Sequence, residues 1–189
     1  MFPSHDRGEG ITLVYIDSTV GWRSIQDNDF STVGSNFINA TGGTITNTPT
    51  CRIHTFTGPG TFCVSGVAVC AANNVVSYMV VAGGGAGGGG YTGSWGAGGG
   101  GAGGFRELAS PSAPYTASPL NGYPSSPNRV TVTGQAYPIT VGAGGTAGGP
   151  SPGSAPGGIG GKGSVSTFST ITSAGGGGGT HGCTGRSGS

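Results

Sequence analysis

Glycine falls in blocks along this chain, and that limits what the chain can fold into. It supplies 45 of the 189 residues. The densest block runs from Ala82 to Gly104, broken by Ala86, Tyr91, Thr92, Ser94, Trp95, Ala97 and Ala102; a looser field covers Gly142 to Gly163, and a third starts at Gly175. Each glycine costs about 1 kcal/mol relative to alanine in a helix interior. The blocks are therefore neither helix nor ordinary core strand. They are either flexible linkers or backbones packed directly against one another.

Composition narrows the partners. Only 33% of the residues are hydrophobic and 7% charged, with a formal net charge of +1. Disorder of low-hydrophobicity chains usually comes with high net charge, which is missing. The seven basic residues, Arg7, Arg23, Arg52, Arg106, Arg129, Lys162 and Arg186, are scattered rather than clustered. Nucleic acid is not an expected partner, because it needs a concentrated basic patch. The opening MFPSHDRGEG lacks the apolar stretch of a secretory leader, and no run approaches the roughly 20 apolar residues of a membrane helix. Neither that opening nor the ending inside glycine-rich sequence looks natural, so a piece of a longer protein is expected.

Strand signals lie between the blocks. Ile11–Ile16 and a short run near Arg23–Gln26 read as strands, and Asp27–Asn36 as a connector. Thr50–Phe56 and Thr61–Val64 flank Thr57-Gly58-Pro59-Gly60, the pattern of a β-hairpin. In that register Cys51, Ile53, Phe62 and Val64 share one face and Cys63 points to the other, so Cys51 and Cys63 cannot be bridged. The four cysteines fit no metal spacing and are expected to be small buried thiols. Val75–Val81, apolar on both faces, predicts a central strand. Ala109–Asn128 is Pro/Ser-rich and predicts a surface loop. Arg129–Thr133 and Tyr137–Val141 predict strands, the second at an edge because of Pro138. Val165–Thr172 predicts the last one. The fold class is all-β: a jelly-roll-like β-sandwich with glycine-rich polyproline II segments inserted between strands, with a strand/connector segment at 1–36 and the glycine-rich domain at 37–189.

The glycine blocks need not be loose. Polyproline II has three residues per turn, rises about 3.1 Å per residue and makes no internal hydrogen bonds. Several such segments side by side can satisfy each other's backbones, because no side chains hold them apart. Ordering glycine opposes this, yet the blocks at 82–104 and 142–163 are anchored by strands at both ends. An ordered bundle is expected, and about 20 residues in one run would span about 60 Å. The strict Gly-X-Y repeat of collagen is absent.

Little chemistry is encoded. Gly149-Pro150-Ser151-Pro152-Gly153 matches GxSxG, but two prolines preclude the strand–turn–helix that a nucleophile elbow needs. Gly161-Lys162-Gly163 lacks the Ser or Thr of a phosphate loop. His5 and His181 read as solvated side chains and His54 as a cross-strand packing residue, and the few carboxylates suggest no acid–base pair. No enzyme activity, cofactor or metal is expected. Tyr91 and Trp95 in the first block, and Tyr115 and Tyr123 in the Pro/Ser loop, either wedge the fold or are displayed as contact aromatics. A near-neutral chain suits a glycan better than an acidic polymer.

The series TFTGPGTFCVSG, VVSYMVVAGGGAGGGG, GAGGGGAGGFRE, YPITVGAGG and STFSTITSAGGGGG resembles the glycine-rich domains of tailed-phage, especially cyanophage-like, tail fibre and virion structural proteins. LVYIDSTVGWRSIQD is similar to the segment that precedes that domain. The resemblance covers residues 11–180 and implies a virion location, a structural or receptor-recognition role, trimeric self-association and contact with other virion proteins. Where Tyr91, Trp95, Tyr115 and Tyr123 are displayed, the near-neutral chain makes a host surface glycan the expected contact. The alternatives are a self-assembling extracellular filament or coat subunit packed through polyglycine and, further off, an ice-binding protein, whose flat face Trp95, Tyr91 and the prolines would interrupt.

Overall fold

The structure is a computed structural model describing residues 13–15, 22–24, 35–90, 96–111, 113, 115–150 and 157–180. It divides into two compact units, Met1–Gly34 and Ser35–Ser189. In the first, β1 (Leu13–Tyr15) and β2 (Trp22–Ser24) pair antiparallel, with Tyr15 opposite Trp22. Residues 27–34 of the expected connector lie outside the described residues.

The second unit is all-β. Its strands are β3 (Asn39–Thr41), β4 (Thr44–Asn47), β5 (Arg52–Thr55), β6 (Gly60–Gly66), β7 (Val75–Val76), β8 (Tyr78–Val81), β9 (Phe105–Leu108), β10 (Val130–Thr131), β11 (Ala136–Thr140), β12 (Ser166–Phe168) and β13 (Ile171–Ser173). Among the described residues the helical pieces are two 3-10 turns, Ala71–Asn74 and Ser126–Asn128.

The expected hairpin around Thr57–Gly60 does not form. β5 pairs with β4, and β6 pairs with β3 and β11. The turn lies earlier, at 48–51: Thr48 N–H donates to the Cys51 carbonyl at 2.8 Å, and Cys51 N–H donates to Thr48 Oγ1 at 2.9 Å. Pro49 occupies the turn position that its fixed φ suits. The segment Thr57–Pro59 instead carries the chain around a corner between two sheets. Opposite it, Gly42 (φ 109°) and Gly43 (φ 64°) bend the partner strand in a region that side-chain-bearing residues rarely adopt. The cross-strand face assignment based on the other register falls with it, while the split of Phe62 and Val64 from Cys63 along β6 stands. Cys51, Cys63 and Cys70 are free thiols, Cys63 and Cys70 exposed and Cys51 half-buried, so the expectation of buried thiols is corrected. Cys63 is exposed because it alternates with the buried Phe62 and Val64 along β6.

The main sheet has the order β13-β12-β11-β6-β3. One face is buried through Ala40, Phe62, Val64, Tyr137, Phe168 and Ile171, against Val130 and Val132 and the half-buried Val76, Tyr78 and Val80. Phe168 meets Phe62 edge-on at 6.1 Å and Tyr137 at 6.2 Å, and Tyr78 closes the cluster at 6.1 Å from Phe168. Such ring pairs each contribute about 0.5–1.5 kcal/mol beyond their burial.

Three further expectations need correcting. Val75–Val81 is not one central strand: Ser77 divides it, β7 pairs with β10 and β8 with β9, and Met79 and Val81 stay exposed. β11 lies in the middle of the sheet, not at an edge. Val64 N–H donates to the Gln135 carbonyl, so alternation turns the missing N–H of Pro138 toward β12, whose pairing reaches only Ile139. Val165–Thr172 is a hairpin rather than a strand, with Phe168 opposite Ile171 and Ser169 at φ 53° in the two-residue turn.

The glycine blocks are ordered, and they double back. The first forms antiparallel arms, segment I (82–90) and segment II (96–104), joined by bonds such as Gly85 N–H to Gly101 O at 2.8 Å and Gly88 N–H to Gly98 O at 3.0 Å. Each arm spans about 28 Å at the polyproline II rise, half the single run expected. The second field likewise gives segment III (142–149) and segment IV (157–164), bonded from Gly161 N–H to Thr146 O at 2.7 Å. Segment V (174–180) follows β13. Every set of bonds repeats at three residues. Along segment I, the amides of 82, 85 and 88 donate to segment II and those of 83, 86 and 89 to segment IV, while carbonyls of 83, 84, 86 and 87 accept from segments V and III. Segment V accepts from II and IV in turn. The result is two layers, II–I–III over V–IV.

Two outcomes test this lattice. Residue-resolved amide exchange should show a triplet pattern, with 82, 83, 85 and 86 slow and 84 and 87 fast; uniform free-chain exchange over 82–88 would refute the lattice. A Cβ on Gly85 would fall well inside 3.0 Å of the Gly177 backbone, whereas one on Gly84 has nothing closer than 3.7 Å. Thermal melts should show Gly85→Ala destabilised by about 1–3 kcal/mol or more and Gly84→Ala neutral or stabilised by about 0.4–1 kcal/mol.

Candidate functional site

The Pro/Ser-rich stretch after β9 is tied down by one buried carboxylate. The β8–β9 register places Glu107 opposite Met79, and Glu107 is only 6% exposed. A buried carboxylate must be well hydrogen-bonded. Ser118 N–H donates to it at 2.9 Å and Ser118 Oγ at 2.5 Å, and the Tyr115 hydroxyl bonds to it as well.

Asn121 supplies a second clip. Its Nδ2 donates to the Ala109 carbonyl at 3.0 Å while its Oδ1 accepts from Ala109 N–H at 2.9 Å, copying a strand's paired bonds. Gly122 N–H donates to the Glu107 carbonyl at 2.8 Å. At the far end of the loop, Tyr78 OH donates to Asn128 O at 2.7 Å. The described residues of the stretch thus form a surface loop tied at several points, with Ala109 buried at its root.

This loop forms part of the wall of an open groove of about 1880 Å³. Tyr115 and Tyr123 both line it and are 47% and 39% exposed. The Arg129 guanidinium lies over the Tyr123 ring, 5.7 Å from its centroid. Two of the four sequence candidates therefore share one groove. Tyr91 and Trp95 lie outside the described residues. Glu107, Asn121 and Arg129 were not singled out from the sequence; the available signal was a lone acid in the strand that opens a serine-rich loop.

The remaining motifs are accounted for structurally. His54 Nδ1 lies 2.8 Å from the Gly42 carbonyl and its ring meets Phe62 edge-on at 5.0 Å, steadying the Gly42–Gly43 bend. Gly161 and Gly163 donate their amides to Thr146 and Gly176, so they do not cradle an anion beside Lys162. Ser151, His5, His181 and Cys183 lie outside the described residues. Among the described residues, no group of three His, Cys, Asp or Glu could hold a metal ion, and no helix is long and apolar enough to cross a membrane.

The fold defines a class: an all-β protein whose glycine-rich segments leave and re-enter its sheets. Residues 55–189 match a family model described as a glycine-rich domain, and the chain belongs to that family. No curated protein and no solved structure gives a match.

The Tyr115 phenol is pushed above its ordinary value, first by burial, then by the charge of Glu107 and their hydrogen bond. A raised phenol favours the neutral form, so the loop's attachment is fully present below about pH 10 and weakens as pH rises through the native value. Ultraviolet difference titration of wild type against Tyr115→Phe should isolate this late transition. Glu107→Gln should move it down. A Tyr115 transition at or below the free-phenol value would contradict the contact.

Proposed function

We propose that this protein is a non-enzymatic structural protein of a phage virion, a tail fibre or surface appendage, that presents the loop 109–128 and the groove beside it toward a host surface. The supporting observation is the backbone-bonded glycine bundle anchored in the sheets, a scaffold whose stability does not depend on which side chains it displays. The resemblance to virion glycine-rich domains gives the location. Tyr115 and Tyr123 are the contact aromatics, a surface glycan is the ligand, and the protein works as a homo-oligomer among other virion proteins.

A second reading is a filament or coat subunit packed through polyglycine. One observation favours it: among the described residues the amides of Gly84 and Gly87 have no acceptor, and a neighbouring subunit could supply one.

Labelled protein at increasing concentration separates the two. The virion reading expects a discrete oligomer that adsorbs to some strains of a cyanobacterial panel and loses adsorption in Tyr115→Ala/Tyr123→Ala. Concentration-driven fibres without adsorption would replace it with the filament reading.

A further inference from the structure

We propose that the groove beside the 109–128 loop is a binding site for a linear, carboxylate-bearing saccharide chain, held by Arg129 on its Tyr123 platform at one place and by Arg52 at another. The proposal deepens the host-contact reading by giving the ligand a charge.

The chain as a whole carries only +1, but the groove does not share that balance. Arg52 and Arg129 both line it and both are exposed. Its one carboxylate among the described residues, Glu107, is buried and bonded to Ser118 and Tyr115. Among the described residues neither arginine has a carboxylate partner: Arg52 Nε donates to Asn47 Oδ1 at 3.1 Å, and Arg129 rests on Tyr123. Among the described residues the terminal nitrogens of both forks have no hydrogen-bond acceptor and are left for a ligand. A guanidinium fork matches a carboxylate in bidentate fashion, and stacking on Tyr123 pre-orients one of them.

Size and lining select the rest of the ligand. The groove is open and its lining runs from the β4–β5 ribbon to the 109–128 loop, a shape that suits a chain rather than a single ring. Two arginines are too few for nucleic acid, whose affinity rests on many phosphate contacts. Tyr115 and Tyr123 offer flat faces for sugar rings, and Ser110, Thr116 and Asn73 line the same groove with hydroxyl and amide groups.

Calorimetric titration of the full chain with an oligogalacturonate tests the assignment. Binding should weaken about tenfold or more when the carboxylates are methyl-esterified, since a hydrogen bond to a charged group contributes about 1.5–3 kcal/mol. Arg129→Gln and Tyr123→Ala should each lose about as much, Arg129→Lys should recover only part, and Arg52→Gln should lose a smaller factor. Lys162→Gln, on the glycine bundle away from the groove, should change nothing; circular dichroism checks that each variant is folded.

No binding of the acid, equal binding of acid and ester, equal loss in Lys162→Gln and Arg129→Gln, or tighter binding of single-stranded DNA would each overturn the proposal. If cell adsorption persists while oligogalacturonate fails to bind, the groove assignment falls and the virion reading stands.

Discussion

The fold depends on backbones approaching one another until each amide of the right phase meets a neighbour's carbonyl. This needs the Cβ to be missing at the inward positions. On segment IV, a Cβ at Gly157, Gly160 or Gly163 would meet the backbone of segment I, and one at Gly158 or Gly161 that of segment III. A net hydrogen bond contributes only about 0.5–1.5 kcal/mol, while fixing a backbone costs about 1–2 kcal/mol per residue. The bonds alone therefore do not hold glycine in place. The sheets supply the difference by delivering each segment already aligned: Val81 pairs with Phe105, and the next bond inward is Ala82 N–H to Gly104 O. β11 and β12 do the same for segments III and IV, where Gly142 N–H is caught by Ser166 Oγ at 2.9 Å. β13 feeds segment V.

That dependence explains which parts of the fold the residues disclosed. Order in the glycine blocks could be inferred because strands bracket them. Their doubling back was not inferred, although Tyr91–Trp95 and Pro150–Pro156 interrupt the glycine between the paired arms. The hairpin was misplaced because Thr57–Gly60 and Thr48–Cys51 both carry turn chemistry, and the deciding contact is a threonine hydroxyl taking Cys51 N–H. Pro138 suggested an edge on a rule about whole strands. The rule holds one position at a time, and β12 ends where Pro138 would have needed to donate. Val75–Val81 looked central because it is apolar throughout, but ribbons need only one covered face, so Met79 and Val81 point outward.

The candidate site was less legible, for a related reason. Aromatic residues in a loop announce themselves, and Tyr115 and Tyr123 did share one groove. The residues that give them position do not stand out one at a time. Glu107 matters because the β8–β9 register and the returning loop enclose it, and Asn121 because its amide mimics a strand. Both effects join positions more than ten apart in the chain. Arg52 and Arg129 are far apart in sequence, and only the fold makes them two cations lining one groove.

A scaffold bonded through its backbone separates folding from surface chemistry. On segment IV the outward positions carry Ile159 and Lys162, an apolar and a charged side chain on neighbouring turns of the same helix, both exposed. Segment III bears Ala143 and Thr146 and segment II bears Ala102 in the corresponding exposed places. Since these side chains are exposed and the bonds run through the backbone, such positions can change without disturbing the lattice, whereas an inward glycine such as Gly160 cannot change without moving a neighbouring backbone. A similar separation holds at the loop, where a buried carboxylate and an asparagine amide fix the frame while Tyr115 and Tyr123 stay exposed. A protein built this way can vary what it presents while keeping how it folds, which is the property a surface facing a changing partner requires.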